Sequence, residues 1–130
     1  SDVCSSDLSH GVMRIPFYLG RVRDSILKPG ARLQVVKETA SSLCCDGGWG
    51  FGQVLSRELM TRLLSMVSNS GIASGTLRQS AHIGRLGEYA EMAAEQNMVP
   101  LICANTHGAA QRVAPLCGTR PRLGTNPLWI

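Results

Sequence analysis

Residues 45–53 read CDGGWGFGQ, and the reading of their four glycines decides the fold. A dinucleotide-binding fingerprint needs G-x-G-x-x-G directly after a strand and opening a helix, with an acidic residue roughly 20 positions on. Here the glycines fall at 47, 48, 50 and 52, and nothing acidic follows near position 70. The spacing therefore favours a glycine-rich loop that turns tightly into a helix. A phosphate-binding domain built on GGWGFG stays as a separate reading, and it requires nucleotide triphosphates to bind.

Working outward, Phe51, Val54, Leu55, Leu59, Leu63, Met66 and Val67 recur at i, i+3, i+4, i+7 spacing. That stripe predicts a helix over 51–70, closed by Gly71. Upstream, RLQVVKET (32–39) alternates and is rich in β-branched residues, which predicts a strand with Ser41 to Cys45 as its short partner. Downstream, IASGTLRQS (72–80) reads as another strand, and residues 85–97 as a second helix with Gly87 its weak point. MVPLICAN (98–105) reads as a buried strand whose Pro100 suits a sheet edge. Near the start, Val12, Ile15, Tyr18, Leu19 and Val22 keep helical spacing within residues 9–26, with Ser9 as N-cap and Pro16 in the first turn. KPG at 28–30 is a turn, and most of the chain after Asn105 reads as loop. Helices and strands alternate without repeats or linkers, so the class is α/β or α+β with at least one antiparallel hairpin.

The chain has 130 residues, enough for one domain with a real core. It opens on SDVCSSDL, short, polar and patternless, so residues 1–8 read as a non-native leader outside the fold. Thirteen basic against nine acidic residues give a net charge of +4, with the basic residues scattered. Aromatics make up 5%, too few for a base-stacking platform, and the charge suits an anionic small molecule better than nucleic acid. The five cysteines, Cys4, Cys44, Cys45, Cys103 and Cys117, are odd in number and form no C-x-x-C pair, so neither a disulfide framework nor a zinc site is indicated. Three of them stand among apolar neighbours, as buried thiols in a reducing compartment do. No window reaches the length of a membrane span and no signal sequence is present. The expectation is a soluble, cytoplasmic protein that binds no metal.

Three histidines carry the chemical interest, because imidazole titrates near neutrality. His82 ends an apolar run in QSAHIGRLGEYAE (79–91), ahead of Gly84 and Gly87. Backbone amides at the following helix start favour an anion, and glycine lets a ligand come close. Spacing alone leaves His82 evenly divided between strand end and proton carrier. His10 and Arg14, four apart, would share a helical face and could clamp a carboxylate, which guanidinium binds bidentately. The spacing by itself favours a cap and a solvated charge there. His107 reads as an exposed loop residue. Neither Cys44 nor Cys45 has a histidine at a nucleophile's signature spacing.

Taken together, four ordered blocks carry a resemblance: SHGVMRIPFY, DGGWGFGQ, GIASGTLRQSAHIGRLGEYAEMAA and RLGTNPL. They resemble the type-2 malate/L-lactate dehydrogenase family, which also holds ureidoglycolate, sulfolactate and hydroxycarboxylate dehydrogenases. The likeness runs from about Ser9 to Ile130. It implies hydride transfer between NAD or NADP and a 2-hydroxy or 2-oxo acid. It also implies a non-Rossmann fold with a mixed, largely antiparallel sheet, and a homodimer. By that resemblance His82 is the acid/base, and His10 lies beside nicotinamide and substrate. Arg14 and Tyr18 line the substrate pocket, while Gly84, Arg85, Leu86 and Thr106 contact the cofactor.

Family members are much longer, so residues 9–130 are expected to form part of a catalytic domain truncated at both ends. Such a piece is expected to be inactive alone. Cys117 and Pro100 stand where members usually carry glycine. A binding relative that keeps the fold without the chemistry is the alternative, and intact His10, Arg14 and His82 argue against it.

Overall fold

The computed structural model describes residues 11–106 and 111–130. The expected N-cap Ser9 lies outside them. A short 3-10 turn, Val12–Arg14, leads into helix α1, Ile15–Arg23, with Pro16 in its first turn. Proline is tolerated there because the first amides of a helix have no partner within it. The helix therefore begins later than the apolar spacing from residue 9 suggests.

Strand β1 (Gln34–Glu38) pairs antiparallel with β2 (Ser42–Gly50), which gives the expected hairpin. Helix α2 (Gly52–Ser70) then crosses over to β3 (Ser74–Ser80), which lies parallel to β2. The sheet order is β1-β2-β3, so the sheet is mixed. Helix α3 (Leu86–Ala94) follows, and a separate two-stranded ladder pairs β4 (Ile102–Cys103) antiparallel with β5 (Leu128–Trp129). The class is α/β with a non-Rossmann arrangement of strands.

The core lies where α2 covers the sheet: Leu55 and Leu59 pack on Leu33, Leu43 and Cys45, with Leu63, Met66 and Leu77 at the margin. Burying one such leucine stabilises by about 1.5–3 kcal/mol. Val54, placed in the stripe by spacing, is 64% exposed, and Leu64 is buried instead. Gly71 closes α2 in the left-handed region, at φ 73°, with its N–H on the Val67 carbonyl at 2.8 Å.

The glycine-rich stretch corrects the sequence reading. GGWG is not a loop but the end of β2, bulged where the register shifts between Asp46 and Gly50. Gly48 and Trp49 both have positive φ there, at 53° and 63°. A Cβ on Gly47 would stand 2.7 Å from Leu55 Cδ1, and one on Gly50 would stand 2.9 Å from Ala31 Cβ. These glycines let the helix and a neighbouring loop approach the strand closely, and the Gly48 N–H bonds the Asp46 carboxylate at 2.9 Å.

Two further expectations change. MVPLICAN is not a buried strand: only Ile102–Cys103 pairs, while Val99 is 90% and Leu101 68% exposed. Among the described cysteines only Cys45 is buried; Cys44, Cys103 and Cys117 are exposed and all four are free thiols. Burial pushes the Cys45 thiol above its ordinary pKa, because a thiolate there would lose hydration. Among the described residues, no helix is long and apolar enough to cross a membrane.

Candidate active site

The site forms where β3 hands over to α3. The Ala81 N–H bonds the Gly50 carbonyl at 3.2 Å, so the chain leaving β3 stays tied to the end of β2. Gly52, the first residue of α2, is buried against this crossing. A Cβ there would run into the carbonyl oxygens of Ala81 and His82, so only glycine lets α2 start at that depth.

His82 is half-buried, and its Nδ1 is the meeting point of two elements. The Tyr18 hydroxyl, from α1, lies 2.9 Å away. The Gly84 backbone N–H donates to the same nitrogen at 3.3 Å. Gly84 has φ 77°, a conformation glycine adopts at little cost, and this bends the chain so that its amide turns back on the ring. On the other side, the Gln53 amide donates to the Tyr18 hydroxyl at 2.6 Å. Tyr18 also packs edge-on against Phe51 and Phe17, with ring centroids 6.0 and 5.8 Å apart. The tyrosine is thus held by aromatic contacts and by hydrogen bonds on both sides of its oxygen.

Arg14 caps α1 one turn before Tyr18, and its guanidinium lies 5.8 Å from the Phe17 ring centroid. Arg21 stands over the same ring at 5.1 Å. Two cations thus lie near one ring on the helix that carries Tyr18.

Beyond His82 the chain lines a cleft of about 210 Å³ formed by Gly84, Arg85, Leu86 and Gly87 with Pro127, Leu128 and Trp129. A Cβ on Gly87 would stand 2.7 Å from Arg85 Nη1 and 3.5 Å from Trp129 Cη2, so the missing side chain keeps this cleft open. The Arg85 guanidinium forks onto Glu91 at 2.8 and 3.0 Å and holds that carboxyl below its ordinary pKa. Leu86 is buried at the first turn of α3. Tyr89, 3% exposed, donates its hydroxyl to the Ile83 carbonyl and so ties α3 back to the turn after His82. Burial above all, with the neighbouring Glu88 charge adding to it, pushes Tyr89 up to about 12.

Thr106 does not line the cleft. Its backbone N–H and its hydroxyl both reach Asn126 Oδ1, at 3.0 and 3.3 Å, and this fixes the residue that precedes Pro127. His10 and His107 lie outside the described residues. The structure therefore brings together His82, Tyr18 and Gly84, and sets Gly84, Arg85 and Leu86 along one cleft. Gln53 and Trp129 are not singled out by sequence reasoning, although FGQ and NPLWI stand in or beside the resembling blocks. Among the described residues, no group of three or more His, Cys, Asp or Glu side chains could hold a metal ion.

Comparison with known proteins identifies the family of this fold. The family model for malate/L-lactate dehydrogenase matches residues 6–130. The chain belongs to the malate/L-lactate dehydrogenase family. Among its relatives in that family, the L-lactate dehydrogenase of Cupriavidus necator is 37% identical over 128 residues, 98% of this chain and 36% of that protein. The L-sulfolactate dehydrogenase of Methanocaldococcus jannaschii is 33% identical over 122 residues, 94% of this chain and 35% of that protein. Among solved structures, the malate dehydrogenase of Pyrococcus horikoshii superposes with a TM-score of 0.83 at 33% identity, covering 92% of this chain and 34% of that one. The sulfolactate dehydrogenase of M. jannaschii superposes equally well, at 0.83 and 32% identity. The chain thus spans about a third of the length of the malate/L-lactate dehydrogenases it matches.

Proposed function

We propose that these residues are part of an NAD- or NADP-dependent 2-hydroxyacid dehydrogenase, residues 9–130 contributing part of its catalytic domain. In this reading His82 is the acid/base. The observation that carries it is the fixed His82 ring: Nδ1 is engaged by Tyr18 and Gly84, directly before a cleft that the absence of a side chain at Gly87 keeps open. The names of the relatives support a hydroxy acid as substrate class.

The residues present suit a nicotinamide cofactor in part. Gly84, Arg85 and Leu86 would hold it along the cleft, with Trp129 as an apolar wall and Thr106 steadying that wall through Asn126. When bound, the cofactor exchanges a hydride with C2 of the substrate. This chain's residues do the rest. His82 takes the hydroxyl proton at Nε2 during oxidation and returns it during reduction. Arg14 orients the carboxylate so that the C2 hydrogen faces the cleft, a positioning task suited to a guanidinium. Tyr18 holds the His82 ring and closes the pocket beside it.

The test is His82→Ala in a protein of family length that contains these residues. Turnover of the best 2-hydroxy acid should fall by roughly 10² to 10⁴, the usual worth of a general base, while titrated nicotinamide cofactor still binds. Near-normal turnover refutes the assignment.

A further inference from the structure

We infer that Gln53 is a positioning residue that sets, through Tyr18, which ring nitrogen of His82 carries the proton. The inference rests on the reading of His82 as acid/base and adds to it a residue that touches neither ring nitrogen.

The hydrogen-bond chain runs Gln53 Nε2, Tyr18 Oη, His82 Nδ1, with steps of 2.6 and 2.9 Å. A phenol has one hydrogen to donate. With the Gln53 N–H donating to the phenol oxygen, the tyrosine hydrogen is directed to Nδ1. The Gly84 N–H reaches Nδ1 as well, at 3.3 Å, and a backbone N–H cannot be turned around to accept. Two donors on one nitrogen require it to be the unprotonated one, so the neutral ring rests with its hydrogen on Nε2. In that form His82 donates a hydrogen bond to an oxo acid's oxygen.

Oxidation of a hydroxy acid asks for the opposite tautomer, with Nε2 deprotonated and a hydrogen on Nδ1. Tyr18 must then accept from Nδ1 and give its own hydrogen away, and the longer Gly84 contact, at 3.3 Å, is given up. An amide allows this, because turning it offers Oε1 to the phenol in place of Nε2–H. The orientation of Gln53 therefore goes with the tautomer: Nε2–H towards Tyr18, as in this structure, favours the hydrogen on Nε2 of His82, and Oε1 towards Tyr18 favours it on Nδ1. Its side chain is also packed in place: a Cβ on Gly84 would stand 3.2 Å from Gln53 Cγ. Its position as the second residue of α2 anchors it to the core, three residues after Gly50 leaves the sheet.

Two substitutions separate the settings. The carboxylate introduced by Gln53→Glu can only accept while ionised, so it draws the tyrosine hydrogen and leaves Nδ1–H to donate to Tyr18. Gln53→Met keeps the length and removes the amide. The measurement is ¹⁵N NMR of histidine-labelled protein of family length, at a pH where the ring is neutral, with the His82 signals assigned by their loss in His82→Asn. The parent should show Nε2–H. Gln53→Glu should reverse this to Nδ1–H, and Gln53→Met should give a mixture of the two. An unchanged Nε2–H form in both variants overturns the inference, because it shows that the Gly84 N–H sets the tautomer without Gln53. If Gln53→Glu fails to fold, as circular dichroism would report, the Gln53→Met spectrum decides alone. A normal turnover in His82→Ala would instead sink the acid/base reading and leave the tautomer result standing.

Discussion

Gly52→Ala is the sharpest perturbation the structure offers, because it adds one methyl group where three atoms of backbone stand in the way. The new Cβ would run into the carbonyl oxygens of Ala81 and His82, and would stand 2.7 Å from the His82 carbonyl carbon. No flexible side chain can swing aside. Moving the His82 oxygen from 2.5 Å to the 3.4 Å of ordinary contact takes a displacement of about 0.9 Å. Overpacking of this kind costs about 1–3 kcal/mol. Alanine in place of glycine in a helix returns about 0.5–1 kcal/mol, so a net loss of up to about 2.5 kcal/mol is expected. Because the displaced backbone carries the acid/base candidate, a shift near 1 Å also predicts a fall in turnover on the order of 10²-fold. Gly20→Ala is the control: a Cβ there meets nothing within 4 Å, and Gly20 lies inside α1. It should raise stability by about 0.5–1 kcal/mol. Urea unfolding followed by circular dichroism measures both variants, and steady-state kinetics in the family-length protein measures turnover. A Gly52→Ala variant with the parent's urea midpoint and the parent's turnover would refute the close-approach reasoning.

Tyr89 stays neutral in the fold up to about pH 12, whereas an exposed tyrosine ionises near its ordinary value of 10.0. Its contribution to stability is therefore complete below pH 10 and lost as pH rises towards 12. Urea midpoints taken from pH 9 to 12 should fall more steeply in the parent than in Tyr89→Phe, which itself loses about 1–3 kcal/mol at neutral pH by leaving the Ile83 carbonyl without its donor. Equal slopes would show that the phenol is not protected. Among the thiols, Cys44 should be alkylated by iodoacetamide in the folded chain, while buried Cys45 beside it should react only after denaturation. Peptide mass spectrometry distinguishes these neighbours, and equal labelling rates would contradict the burial of Cys45.

Much of this fold is legible in the sequence because periodicity is a local property. The hairpin of β1 and β2, the α2 stripe and the strand β3 all follow from spacing that one element imposes on its own side chains. Sequence reasoning fails where cover comes from elsewhere. Val54 and Val99 are apolar, but hydropathy says only that a residue favours cover, not that any lies on its side. GGWG looks like a loop because glycine has no strand preference, yet ladder hydrogen bonds belong to the backbone, and they carry β2 through to Gly50. For the candidate site the limit is separation along the chain. Tyr18 reaches His82 across 64 positions and Gln53 reaches Tyr18 across 35, which no local pattern encodes. Only the resemblance joins Tyr18 to His82 in advance, and it assigns no role to Gln53.

The same separation explains why the site depends on the core. Tyr18 belongs to α1, Gln53 to α2, and His82 to the segment leaving β3, so no single element can fix their geometry. Helix α2 links them. Leu55 and Leu59 hold it against β2 and the loop before β1, and Gly52 lets its first turn touch the His82 backbone. Gln53, the next residue, then meets Tyr18 at 2.6 Å. Any change that lifts α2 off the sheet must lengthen the Gln53–Tyr18 bond before it reaches the ring of His82. Truncating Leu55, 1% exposed, to alanine should therefore do more than cost the roughly 2–5 kcal/mol of a buried leucine. It should also loosen the tautomer preference of His82, although the Leu55 side chain has no hydrogen bond to give that ring. A core variant that loses stability while the His82 ¹⁵N pattern stays intact would show that α1 and the β3–α3 turn hold the ring without α2.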